Sequence, residues 1–200
     1  DNLTMRLLHY QVPEYGVTLG FYPHQFTQVN ALMNRELVRT VMGYLAPVKG
    51  ETVLDMFCGI GNFTLPLARA GARAVGVEAS EEAVERASAN ARDNALASNS
   101  RFFTTDLYGD AGKGHAIWSK LEATPKALIL DPPRSGAGPN LDSWVQVGSL
   151  QRVVYVSCNP VTFAEDAKVL AASGYVLQQL GVYDMFPGTA HVETVGLFSR

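Results

Sequence analysis

Five short apolar runs in this chain end next to a group that could do chemistry. Val153-Val154-Tyr155-Val156-Ser157 leads into Cys158-Asn159-Pro160, and Ala127-Leu128-Ile129-Leu130 into Asp131-Pro132-Pro133-Arg134. Phe102-Phe103-Thr104-Thr105 runs up to Asp106, Ala74-Val75-Gly76-Val77 to Glu78, and Val53-Leu54-Asp55-Met56-Phe57 to a Cys58-Gly59 turn. Cys158, at the end of a strand and before a rigid Asn-Pro turn, is a candidate nucleophile for covalent catalysis. Cys58 reads instead as a small buried hydrophobe, the common state of a free cysteine. Two consecutive prolines after Asp131 force an extended chain without N–H donors, so a planar base alongside would meet backbone carbonyls and a carboxylate. The plain alternative is a rigid loop with Asp131 as its cap. Towards the C-terminus, residues 184–193 gather polar groups before the last apolar run; Glu193 is a candidate base with His191 placed to orient it, although either residue taken alone also suits a loop or an edge strand.

The first turn reads Cys58-Gly59-Ile60-Gly61-Asn62-Phe63, and two glycines let the backbone approach a ligand closely. A dinucleotide fingerprint calls for a third glycine where Thr64 stands, which disfavours a pyrophosphate but leaves room for a nucleoside. Glu78, at the end of the next strand, is placed to accept the hydroxyls of a ribose, and Asp106 is a candidate partner for an adenine amino group. A nucleoside cofactor without a pyrophosphate points to S-adenosylmethionine. The rival for the glycine turn is an ordinary strand-to-helix connection beside an exposed acid.

The elements that must hold these residues alternate. Helical spacing over residues 25–45 (Val29, Leu32, Met33, Leu37, Val41, Tyr44) is followed by strands at 53–57, 74–78, 102–106, 127–131 and 153–158. Helices fit after 63, over 81–94 and over 161–172, Trp118 and Leu121 hint at a short one, and two strands at 175–180 and 191–198 close the chain. Strands that alternate with helices predict an α/β fold: a Rossmann-like, doubly wound, mostly parallel sheet of seven strands, with an antiparallel edge strand from the closing pair. Ligands bind such sheets beyond the carboxyl ends of the strands, where the reactive residues fall. Residues 1–20 read as one or two strands turning at Pro13-Glu14-Tyr15-Gly16 and form a candidate remnant of a preceding domain, with 21–200 as the catalytic domain. The chain opens on Asp1 rather than Met, as an excised piece would.

Composition narrows the function. Of 200 residues 47% are hydrophobic and 18% charged, a globular mix that excludes disordered and fibrous classes. A net charge of -3 argues against a protein that holds nucleic acid by charge alone. Two cysteines build neither a four-thiolate zinc site nor an iron–sulfur cluster, so no metal is expected. The apolar runs are too short for a membrane span and no signal peptide is visible, so a cytoplasmic protein is expected.

Taken together, Phe26-Thr27-Gln28-Val29-Asn30, Asp55 to Phe63, Asp131-Pro132-Pro133-Arg134, Ser157-Cys158-Asn159-Pro160 and Asp184-Met185-Phe186-Pro187 with His191-Val192-Glu193 resemble the catalytic domain of the RNA uridine C5-methyltransferases, in particular the branch acting on large-subunit ribosomal RNA. The likeness covers about residues 16–200. It implies cofactor contacts at Gln28, Phe57, Asn62, Glu78, Asp106 and Asp131 besides the Gly59 turn, Cys158 as nucleophile and Glu193 as base. Asp131 and Arg134 are then candidates to hold the target base or its phosphate. The substrate implied is an unstacked or flipped uridine in RNA. Such enzymes also carry an oligonucleotide-binding barrel and often a cysteine-bound iron–sulfur portion; neither fits in this chain. Three readings compete: a methyltransferase acting on exocyclic amines through the Asp131 loop, which needs no cysteine; a non-catalytic cofactor-binding module; and a nicotinamide dehydrogenase, which the missing third glycine disfavours.

Overall fold

The computed structural model describes residues 6–28, 30–109, 114–184, 188 and 192–200. A hairpin of β1 (Leu8–Val12) and β2 (Val17–Phe21) precedes α1 (Ala31–Leu45). There follow β3 (Thr52–Met56), α2 (Thr64–Arg69), β4 (Arg73–Glu78), α3 (Glu81–Asp93) and β5 (Ser100–Thr104). After a 3₁₀ segment at Gly114–Lys120 come β6 (Ala127–Leu130), α4 (Leu141–Val145), β7 (Arg152–Ser157), α5 (Pro160–Ala172), β8 (Val176–Asp184) and β9 (Val192–Ser199).

Seven strands form one sheet in the order β5-β4-β3-β6-β7-β9-β8. All neighbours pair in parallel until β9, which runs against both β7 and β8. The closing hairpin is thus the antiparallel element expected, with β9 one place in from the edge and β8 on the edge itself. Every residue of β3 and β6 is buried, because helices cover both faces. Side chains alternate between two cores: Val53, Ile129 and Val154 pack towards α1 and α2, whereas Leu54, Leu128, Leu130 and Tyr155 pack towards Trp144 of α4 and Phe163 of α5.

The N-terminal hairpin shares the first of these cores through Val12, Val17 and Leu19. Two asparagines one turn apart on α3 fasten its outer strand: Asn90 accepts from Gly20 N (2.8 Å) and Asn94 from Thr18 N (2.9 Å), while their amides donate to the carbonyls of the same two residues. These side chains stand in for a neighbouring strand and satisfy backbone groups that would otherwise be buried without partners.

Among the departures from expectation, two boundaries and one extra element have a local cause. α1 starts at Ala31, not at 25, because Asn30 caps it by accepting from Met33 N (3.2 Å); residues 22–28 are released as irregular chain. β5 ends at Thr104, so Asp106 lies two residues past the strand, where its Oδ1 accepts from Tyr108 N (3.0 Å) in a turn. The five-residue α4 was not expected, since one turn is too short to display a period.

Asp55 is an acid in the middle of β3, inside the sheet. It is fully buried, its Oδ2 accepts from Thr64 Oγ1 (2.5 Å), and its Oδ1 has no hydrogen-bond partner. Burial pushes its pKa up to about 7. The folded state therefore binds this proton more tightly than the unfolded chain, and the stability it confers is full below about pH 4 and lost as pH rises to about 7. Asp55→Asn, which mimics the protonated carboxyl, should gain on the wild type by roughly 4 kcal/mol between pH 4 and 7.5. Urea unfolding of both proteins across that range tests this; a constant difference would contradict it.

Candidate active site

The chain leaves β3 towards β4 and β6 towards β7, so no connection crosses the gap between β3 and β6 at their carboxyl ends. This is the topological switch point of the sheet, and a cavity of about 670 Å³ lies there. Gln28, Phe57, Gly59, Glu78, Asp131, Arg134, Cys158 and Glu193 all line it. Asn62 and Asp106 do not. The Asn62 side chain is engaged on the far side of the glycine turn, with Asn34 (3.0 and 2.9 Å) and Tyr10 (2.9 Å). The Asp106 carboxylate folds back onto its own turn. His191, Val29 and residues 185–187 lie outside the described residues.

One end of the cavity is a cradle of backbone. Phe57 has φ +64°, a left-handed conformation that is unusual for a residue with a side chain and marks stored strain. It aims the ring at Tyr108 (5.7 Å) and Trp144 (6.0 Å). Gly59 (φ +51°) is also left-handed, and open space stands where its Cβ would be. Glu78 Oε2 accepts from Gly59 N (3.2 Å), and Oε1 from Ala79 N (2.7 Å) and Ser80 N (3.0 Å). Three N–H donors, one from the glycine turn and two just before α3, thus hold this carboxylate in one orientation, and they use three of its four acceptor positions.

The wall opposite is the irregular segment before α1. Glu82 of α3 meets His24 Nε2 (2.5 Å) and Gln25 Nε2 (3.5 Å), and Phe26 beside them is 81% exposed. Sequence reasoning missed His24, Gln25 and Tyr108 as lining residues. An exposed aromatic in a polar stretch was the available signal for Phe26; Tyr108 carried none.

The other end collects acids. Cys158 is half-buried, and loss of solvent with the nearby Glu193 and Asp131 carboxyls pushes its thiol up, while the charge and hydrogen bond of Arg134 pull it down. Burial raises Glu193 to about 7, against the pull of Arg134. Asp131 is raised well above the carboxylate range by burial, then by Glu193 and Asp55. A thiol, two carboxyls whose proton affinity is raised by burial and one guanidinium thus face a single space. Such a set can add a nucleophile to an electron-poor ring and move a proton.

Residues 10–200 match the family model of the tRNA (uracil-5-)-methyltransferases. The chain belongs to that family. It is 48% identical over 197 residues to the 23S rRNA (uracil(1939)-C(5))-methyltransferase RlmD of Hahella chejuensis, covering 97% of this chain and 43% of the relative. The RlmD of Aromatoleum aromaticum is 46% identical, with 96% and 44% covered. Among solved structures, the Pyrococcus abyssi tRNA (uracil-54, C5)-methyltransferase in complex with S-adenosyl-L-homocysteine superposes with a TM-score of 0.80 at 31% identity, over 96% of this chain and 44% of that one. The magnesium protoporphyrin IX methyltransferase of Synechocystis shares the fold at 21% identity and a TM-score of 0.64. This uracil-5-methyltransferase family member spans less than half the length of the RlmD relatives it matches. Among the described residues no group of three or more His, Cys, Asp or Glu is arranged to hold a metal ion, and no helix is long and apolar enough to cross a membrane.

The two thiols should differ sharply in reactivity. Cys58 is 4% exposed and lies behind Gly76, where an added Cβ would come within 2.7 Å of its sulfur. Iodoacetamide should alkylate Cys158 in the folded protein and Cys58 only after denaturant is added, as read by peptide mass mapping. Equal labelling of both under native conditions would contradict the cavity described.

Proposed function

We propose that this domain methylates C5 of a uridine in ribosomal RNA, with S-adenosylmethionine as donor and a covalent bond between Cys158 and C6 of the ring. The observation that carries the reading is that the nucleoside-shaped cradle and the thiol–carboxyl cluster open into one cavity. The names and functions of the relatives support it.

The cradle fits the cofactor. Glu78 keeps one acceptor position for a ribose hydroxyl, the backbone at Gly59 lets the ligand approach, and Phe57 and Gln28 flank it. Asp131 borders both ends. Asn62 and Asp106 enter this reading as supports, the first bracing the glycine turn and the second setting the turn that places Leu107 and Tyr108 in the wall. When bound, S-adenosylmethionine supplies an electrophilic methyl group on a sulfonium.

Uracil C5 is too weak a nucleophile to take that methyl unaided. The Cys158 thiolate, favoured by Arg134, adds to C6, and the electron pair moves to C5 and O4 as an enolate. Burial raises the proton affinity of Asp131, and in its protonated form it can hydrogen-bond the developing oxyanion. After C5 is methylated, ionised Glu193 removes the C5 proton, the C5–C6 double bond re-forms and Cys158 leaves as the thiolate it began as. The target must be unstacked to enter the cavity. With a net charge of -3, the grip on RNA belongs to parts outside this domain, and the isolated chain turns over weakly. A ribosomal RNA substrate makes the cytoplasm its place of work.

Two tests separate these steps. RNA carrying 5-fluorouridine has no removable C5 proton, so with S-adenosylmethionine at high RNA concentration the wild type should form a methylated adduct at Cys158, stable on a denaturing gel. Cys158→Ala should form none and lose turnover while still binding cofactor; near-normal turnover would sink the covalent step. Glu193→Gln should accumulate the methylated adduct with ordinary uridine, because elimination lacks its base. Since only ionised Glu193 can act, and its pKa is raised to about 7, release of wild-type adduct should slow about tenfold from pH 8 to pH 6. A pH-independent release would remove Glu193 from that role.

A further inference from the structure

We propose that Asn159 is a positioning residue that locks the Arg134 loop to the nucleophile's turn, holding the guanidinium against the Cys158 sulfur. The inference rests on the covalent reading of Cys158. It begins with two jobs done by one side chain. Asn159 Oδ1 accepts from Val161 N (3.0 Å) and caps α5, while Nδ2 donates to the Arg134 carbonyl (3.0 Å). Its backbone is pinned as well, since Asn159 N donates to Ser157 Oγ (3.1 Å), which donates in turn to Asn159 O (2.9 Å). Thr162 Oγ1, one turn into α5, lies 3.3 Å from the same Arg134 carbonyl and 3.2 Å from Asn159 O.

The Arg134 loop needs such a fastening. Two prolines deprive it of N–H donors at 132 and 133, and its own turn closes through Gly136 N to Pro133 O (2.9 Å). Further along it is held by Tyr108 Oη donating to Gly136 O (2.5 Å) and Asp166 accepting from Ala137 N (2.8 Å). Arg134 itself is anchored at its carbonyl, by Asn159 and Thr162. The charged groups facing Cys158 are Arg134 from this loop, Asp131 from the end of β6 and Glu193 from β9. Arg134 is the cation among them. A loop free to drift leaves the sulfur among two carboxyls, so the Asn159 amide acts on the thiol only through Arg134.

Serine caps a helix about as well as asparagine but is too short to reach the Arg134 carbonyl as well. In the full chain, Asn159→Ser should leave the stability of α5 nearly unchanged and slow iodoacetamide labelling of Cys158 at pH 7 about fivefold, with the labelling profile displaced to higher pH. Thr162→Val should do the same more weakly, and serves if Asn159→Ser does not fold. The decisive comparison is with Arg134→Ala: in that background Asn159→Ser should have no further effect, because its route to the thiol is already gone. A fivefold loss in both backgrounds, or none in either, overturns the proposal. Labelling needs neither RNA nor cofactor, so it fails or succeeds separately from the 5-fluorouridine adduct.

Discussion

The gap between β3 and β6 is the constraint on which the rest depends. Both strands are buried on both faces and cannot move without exposing the core, and the chain departs from them in opposite directions. A crevice is left at their carboxyl ends that no connection fills. Four of its lining residues are carried there by the end of a strand: Phe57 from β3, Glu78 from β4, Asp131 from β6, Cys158 from β7. Glu193 arrives from the other side because β9 runs antiparallel, which brings the start of that strand to the end of β7, with Thr194 opposite Ser157. One reversed strand is thus what brings Glu193 to Cys158.

Electrostatics in the cavity follow from that burial. Asp131 and Glu193 lose solvent, Glu193 raises the proton affinity of Asp131 further, and Arg134 pulls Glu193 and the thiol the other way. The arrangement raises the proton affinity of both carboxyls and places the positive charge beside the thiol on one loop residue, Arg134.

Loops around the cavity are fixed less by packing than by side chains bonded to backbone. Asn30, Asn90, Asn94, Asn140 and Asn159 each satisfy main-chain groups in a turn or beside an unpaired strand edge. Amides suit this because they donate and accept at once. Three of the residues so held line the cavity: Ile60 of the glycine turn, by Asn90, Leu107, by Asn140, and Arg134, by Asn159.

Much of the fold was legible, for a physical reason. Strands buried on both faces must be continuous apolar runs, so where each run stops is visible in one dimension, and at the ends of β4, β6 and β7 stand Glu78, Asp131 and Cys158. Phe57 and Gln28 came instead from likeness to a family, as no periodicity singles them out. Sequence alone did not reveal that Asn62 turns to Asn34 and Tyr10, that Asp106 lies beyond its strand, or that His24, Gln25 and Tyr108 join the wall. Those outcomes depend on which partner a polar side chain finds across 28 or 52 residues of chain, and local pattern carries no record of distant partners. Residue type and strand order are written along the chain; the proton affinities of Cys158, Asp131 and Glu193 arise only when folding strips their water and sets them around Arg134.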